Sequence, residues 1–152
     1  MSTIRVLVVE DSAAFRQYIC RTLAKSSGLQ VVGEVSDGLE AVQSALAFKP
    51  DLIFFDIGLP KLNGIEAARQ IHKLSLESKI LFVSQESDPE IVQCALGLGA
   101  WGYVVKSRAA SDLLSAVQAV CDGKPFVSAG LRGECYAATV ALKTAAIKDA
   151  SL

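Results

Sequence analysis

The sequence predicts an α/β fold: a doubly wound parallel sheet of five strands in the flavodoxin-like order 2-1-3-4-5. Four apolar runs, Val6-Leu7-Val8-Val9, Leu52-Ile53-Phe54-Phe55, Ile80-Leu81-Phe82-Val83 and Tyr103-Val104-Val105, have the continuous hydrophobicity of short strands buried on both faces. They alternate with helical patterns of ten to fifteen residues, the signature of repeated βα units. Each run stops at a polar side chain, at Glu10-Asp11, Asp56, Ser84 and Lys106 in turn. In open α/β sheets the working groups lie just beyond the carboxyl ends of the strands, so these five side chains are expected to converge.

The first helix is expected to open at Asp11 or Ser12 and run to about Lys25, with Phe15, Ile19 and Leu23 on one face and Gly28 beyond its end. Strand two, Val31-Val32-Gly33-Glu34-Val35, is more polar than the others, which suits a sheet edge. Asp37-Gly38 then leads into a helix expected to turn Leu39, Val42 and Leu46 inward. The third helix begins near Asn63-Gly64 with Ile65, Ala68 and Ile71 on its apolar face. The fourth follows Asp88-Pro89, a cap-then-proline start, with Ile91, Val92 and Leu96; the fifth follows Ala109 with Leu113, Leu114, Val117 and Val120. Right-handed crossovers with this order set strand one beside strand three, bringing Glu10, Asp11 and Asp56 together at the switch point.

Length and composition suit one domain with a tail. The chain has 152 residues, 51% of them hydrophobic, enough for a single core. A formal net charge of -1 offers no broad basic field for nucleic acid or anionic lipid, which directs attention to small molecules and proteins as partners. The apolar run before Glu10 is too short for a signal-peptide core, and no stretch reaches the roughly 18 apolar residues of a membrane span. A cytoplasmic location without membrane contact is therefore expected. Cys20, Cys94, Cys121 and Cys135 form no Cys-x-x-Cys pair and share the chain with a single histidine, His72, which argues against a zinc site; Cys20, Cys94 and Cys121 read as small hydrophobes in or near the core and His72 as a surface helix residue.

Clustered carboxylates need a counter-charge. Two ionised carboxylates about 5 Å apart repel by roughly 3 kcal/mol at an effective dielectric near 20. Hard oxygen ligands favour Mg²⁺, which is held by one or two carboxylates plus a phosphate and leaves one carboxylate to attack phosphorus. Lys106 would balance charge on the transferred phosphoryl oxygens, and Ser84 would donate a hydrogen bond to one of them.

These residues resemble the receiver domain of two-component response regulators. The resemblance rests on Val6-Leu7-Val8-Val9-Glu10-Asp11-Ser12, the run from Asp51 through Asp56 to Gly64, Val83-Ser84, and Gly102-Tyr103-Val104-Val105-Lys106-Ser107. It covers about Ile4 to Ser128. It implies that Asp56 is the phosphoacceptor, taking a phosphoryl group from a sensor histidine kinase or a small phosphodonor with Mg²⁺. It further implies that Asp11, Asp56 and the Gly58 carbonyl ligate the metal, with Glu10 acting through water. Ser84 and Lys106 would contact the phosphoryl group, and Tyr103 would turn inward as Ser84 moves, changing the surface offered to a downstream protein. Gly58 and Glu86 occupy positions at which family members vary in phosphate lifetime. The chain's own catalysis would be limited to its phosphorylation and dephosphorylation.

The loop from Gly58 and the Gly102 to Ser107 segment look most like receivers that precede a helix-turn-helix transcription domain. Residues 129–152 are too few for such a domain, so direct nucleic-acid binding by this chain is not expected. Two readings follow for residues 1–128: a receiver acting alone, or the receiver fragment of a transcriptional regulator. In the tail, Leu131, Cys135, Ala138, Leu142 and Ala145 make a narrow helical stripe that would pack on the domain or pair with a second copy. A phosphatase with an aspartate nucleophile of the haloacid-dehalogenase type would require a second aspartate at position 58, where this chain has glycine. A flavin or nucleotide module would need a Gly- or Ser/Thr-rich phosphate loop after strand one, where Asp11 stands instead.

Overall fold

The computed structural model describes residues 3–74, 77–128 and 131. The elements alternate as β1 (Ile4–Val9), α1 (Ala13–Ala24), β2 (Leu29–Val35), α2 (Gly38–Phe48), β3 (Leu52–Phe55), α3 (Gly64–Leu74), β4 (Lys79–Ser84), α4 (Pro89–Gly97), β5 (Gly102–Val105), α5 (Ala109–Cys121) and β6 (Phe126–Val127), with a 3₁₀ turn at Lys106–Arg108. All strand pairs are parallel and the sheet order is β2-β1-β3-β4-β5-β6. The expected order 2-1-3-4-5 is therefore present, with β2 at one edge. A sixth strand corrects the expected count: the chain turns back after α5 through Gly123, at φ +79, and pairs Phe126 and Val127 with Gly102 and Tyr103.

Alternation along the strands divides the core into two layers. Leu7, Val9, Ile53, Phe55, Ile80, Phe82 and Tyr103 pack with α2, α3 and α4, whereas Val6, Val8, Leu52, Phe54, Leu81, Val83 and Val104 pack with α1 and α5. Side-chain caps fix where the helices start. Ser12, Asp37, Asn63 and Asp88 accept from the backbone N–H groups of Phe15, Glu40, Glu66 and Glu90 at 2.8–3.3 Å. Since Ser12 caps α1, the Asp11 carboxylate is not used as that cap.

Several expected helix faces shift. On α2 the buried residues are Gly38, Ala41 and Ala45, while Leu39 and Leu46 are exposed. The physical reason is close packing, because Ala41 and Ala45 share one core with Ala67 and Ala68 of α3, and small side chains let the two helices approach. Leu114 on α5 is likewise exposed, its place inside taken by Ala116 and, unexpectedly, Asp112. Cys20 and Cys121 are half-buried as expected; Cys94 is exposed, which corrects its assignment to the core region. His72 lies on the surface. Leu131 packs against the α2–α4 side of the core, and the rest of the tail stripe lies outside the described residues.

Candidate functional site

Strand pairing brings the polar termini together. β1 lies between β2 and β3, and the Asp56 N–H donates to the Val9 carbonyl at 3.1 Å, which sets Asp56 beside Glu10. β4 and β5 follow on the other side of β3 and contribute Ser84 and the residue after Val105, Lys106. Asp11, Asp56, Gly58, Ser84 and Lys106 line one pocket of about 390 Å³, joined by Ser12, Ile57, Gln85 and Glu86. Glu10 does not line the pocket but pairs with Lys106 beside it, so all five predicted strand-end side chains meet at one end of the sheet. A slightly larger pocket of about 440 Å³ opens at the opposite end, between the α1–β2 loop and α5, and gathers no group of carboxylates.

The Lys106 ammonium occupies the centre of the acidic group. It donates to Asp56 Oδ2 at 3.1 Å and to Glu10 Oε1 in a closer contact, and it sits 4.7 Å over the Phe15 ring. Glu10 is buried, and its second oxygen, Oε2, has no hydrogen-bond partner. Its carbonyl accepts from Arg16 Nη1 at 2.6 Å, which ties α1 to the end of β1. Carboxylate oxygens of Glu10, Asp11 and Asp56 all come within 4.8 Å of one another. Of the three, Asp11 is the exposed member.

Electrostatics separate the two buried acids. Burial, then the hydrogen bond with Asp56, pushes Glu10 up to about 7 despite Lys106. Burial acts the same way on Asp56, but its hydrogen bonds with Glu10 and Lys106 outweigh it and hold the carboxyl below the usual range. Burial thus favours the protonated form of Glu10, and the Lys106 ammonium favours the ionised form of Asp56. Burial lowers the proton affinity of Lys106, and the two acids more than reverse that, so the ammonium stays charged.

Ser84 and Tyr103 join through the β4–α4 loop. The buried Ser84 Oγ accepts from the Glu86 N–H at 3.2 Å, and the Tyr103 hydroxyl donates to the Glu86 carbonyl at 2.6 Å. Tyr103 already points inward in this structure, with 0% exposure, and burial raises its hydroxyl to about 12. Glu86 additionally accepts from the Asp88 N–H, so its side chain shapes the start of α4.

Sequence reasoning missed Phe15 as a neighbour of Lys106, and it missed Asp112 and Ser128. Asp112 shares the inner face of α5 with Ala109, Leu113 and Ala116, and a carboxylate on an apolar stripe was the available signal.

The family model of the response regulator receiver domain matches residues 6–118. The chain is 34% identical over 124 residues to the transcriptional regulatory protein DegU of Brevibacillus brevis, covering 82% of this chain and 52% of that one. Among solved structures, the response regulator domain of Thermotoga maritima CheB is similar at 35% identity and a TM-score of 0.74, covering 81% of this chain and 99% of that one. The signal receiver domain of NarL from Mycobacterium tuberculosis gives 31% identity and a TM-score of 0.77, covering 82% and 100%. The chain spans between 52% and 60% of the length of the first curated relatives it matches.

Proposed function

The chain belongs to the response-regulator receiver family of two-component signalling, and from that premise we propose that Asp56 accepts a phosphoryl group from a sensor histidine kinase. An Asp56 carboxylate oxygen attacks phosphorus, the phosphorus–nitrogen bond to the kinase histidine breaks, and its electron pair returns to the imidazole. The product is an aspartyl phosphate. The observation that carries the reading is Lys106, donating to Asp56 inside a pocket that also holds Ser84. Its charge balances the phosphoryl oxygens, and the Ser84 hydroxyl, now accepting from Glu86, is within the same pocket to donate to one of them.

Receiver domains generally bind Mg²⁺ at an acidic pocket, and the donor set here fits one. Three carboxylates lie close together and Glu10 Oε2 is buried without a partner, an arrangement that calls for a cation. Asp11, Asp56 and the Gly58 carbonyl would hold the ion, with Glu10 acting through water; when bound, it neutralises charge on the transferring phosphoryl group.

The family is not a classical enzyme family, and the output proposed is a changed protein contact. Ser84, Glu86 and Tyr103 form the connected element that would carry the change to α4, β5 and α5. In this reading residues 1–128 are the receiver, 129–152 are a tail, and the protein works in the cytoplasm. Among the described residues no helix is long and apolar enough to cross a membrane. The half-length match to curated transcriptional regulators favours a second reading, in which this receiver is one part of such a regulator and DNA is bound elsewhere. Light scattering with and without residues 129–152 tests self-association through the tail.

The deciding experiment is intact-protein mass after incubation with Mg²⁺ and acetyl phosphate. A phosphate-sized gain that disappears in Asp56→Asn supports the reading. No gain in the wild-type protein overturns it.

A further inference from the structure

The Lys106–Arg108 turn is bracketed on both sides by one buried pair, Asp112 and Ser128. Before Lys106, the Val105 N–H donates to Ser128 Oγ at 3.1 Å; after it, Arg108 Nε donates to Asp112 Oδ2 at 3.2 Å. The Ser128 hydroxyl closes the bracket by donating to the same Asp112 Oδ2 at 2.8 Å. The chemistry dictates this orientation. An amide N–H can only donate and an ionised carboxylate can only accept, so a hydroxyl, which does both, fits between them. Ser128 is fully buried, and its own N–H donates to the Tyr103 carbonyl at 3.0 Å, which extends the β5–β6 ladder by one rung.

Room for this arrangement comes from Gly102. A Cβ there would stand 2.9 Å from the Phe126 carbonyl and 2.6 Å from Leu81 Cδ1, so a larger residue would push β6 away from β5. β6 and Ser128 lie beyond residues 6–118 that the family model matches, and neither is part of the pocket around Asp56.

We infer that Ser128, acting through Asp112, is a positioning residue for phosphoryl transfer: it fixes the end of β5 from which Lys106 reaches Asp56. The inference rests on the proposed role of Asp56 as phosphoacceptor. Small displacements of a charge-stabilising group cost rate, up to about 100-fold for 1 Å. Where the hold on β6 also alters the free energy of the loaded state, in which Lys106 contacts the phosphoryl group, loading Asp56 alters the hold on β6 by the same amount.

The test measures the phosphorylation rate of the full chain with Mg²⁺ and acetyl phosphate, alongside Mg²⁺ affinity by titration calorimetry. Ser128→Ala and Asp112→Ala are each expected to slow phosphorylation by about tenfold. Mg²⁺ affinity should stay within about twofold, because Glu10, Asp11 and Asp56 follow other strands and Lys106 keeps its charge beside them. The double variant should be no slower than either single variant, as for two groups acting as one unit. Where a core variant fails to fold, Arg108→Ala opens the other side of the bracket from a half-exposed position and should still slow the reaction. Beryllofluoride is expected to change amide exchange at Val105 and Ser128 in the wild-type protein. Rates within twofold of wild type in variants that only melt earlier, with β6 exchange unmoved by beryllofluoride, would reduce Ser128 to packing and overturn the inference. Absence of phosphorylation in wild type would instead overturn the Asp56 reading and this inference with it.

Discussion

Lys106 and Asp56 are joined by a hydrogen bond of 3.1 Å, and the same ammonium also donates to Glu10. One cation therefore bridges two buried acids that come from different strands and balances only one of their two charges. A divalent ion entering the pocket competes with that cation for the same oxygens.

Replacing Lys106 with Ala should then separate two properties. Phosphoryl transfer to Asp56 is expected to slow by about 100-fold or more, the scale seen when one preorganised charge-stabilising group is removed. Mg²⁺ affinity is expected to rise, because the carboxylates lose their internal counter-ion. Intact mass follows the first and calorimetric titration the second; tighter transfer or weaker metal binding would contradict this account of the Lys106 bridge.

The pH dependence of the metal-free protein has a definite sign. Glu10 rises from its ordinary 4.5 to about 7 on folding, so the folded state holds this proton more tightly than the unfolded one. Its stabilising contribution is complete below pH 4.5 and is lost as pH climbs through 7. The lowered Asp112 and Asp56 and the raised Lys106 change charge outside that interval, in acid and in strong base respectively. Melting temperature in chelator should fall between pH 5 and pH 8, with a flatter profile in Glu10→Gln. Added Mg²⁺ should raise it more at pH 8 than at pH 6.

Tyr103→Phe removes one hydrogen bond and little else. The hydroxyl donates to the Glu86 carbonyl from a fully buried ring, so its loss is expected to cost about 1 kcal/mol. Exchange of the Gln85 to Asp88 amides should quicken, since Glu86 is tied at its carbonyl to Tyr103 and at its N–H to Ser84. Chemical denaturation and hydrogen exchange report the two effects. Unchanged exchange across that loop would remove Tyr103 from the proposed switching element.

The sequence made the site legible because its chemistry sits at strand ends. Glu10, Asp56, Ser84 and Lys106 each follow an uninterrupted apolar run, and parallel pairing turns those four sequence positions into one place. Helix faces were less legible where alanine does the packing. Large residues such as Leu39 and Leu46 dominate a hydrophobic pattern, yet the close α2–α3 approach selects Ala41 and Ala45. β6 escaped notice because two residues cannot display a period, and Ser128 because its partners, Val105 and Asp112, lie 23 and 16 residues away.

Gly58 and Gly64 flank the loop after Asp56 and should respond differently to one added methyl. At Gly64 a Cβ would fall 1.9 Å from the Asp56 carbonyl oxygen and 2.9 Å from Ile57 Cα, both backbone atoms that cannot swing aside. Gly64→Ala must therefore shift either α3 or Asp56 itself, at a cost of about 1–3 kcal/mol by the usual scale of overpacking. At Gly58 nothing lies within 4 Å of the same methyl, and Gly58→Ala should change stability by less than about 0.5 kcal/mol. The two variants are isosteric and only six residues apart, so composition cannot explain a difference. Denaturant midpoints for the pair, with phosphorylation measured on each, separate the backbone support of Asp56 from the open side of its pocket. Equal midpoints would mean that α3 yields without disturbing the loop, and the close Gly64–Asp56 contact would no longer account for glycine at position 64.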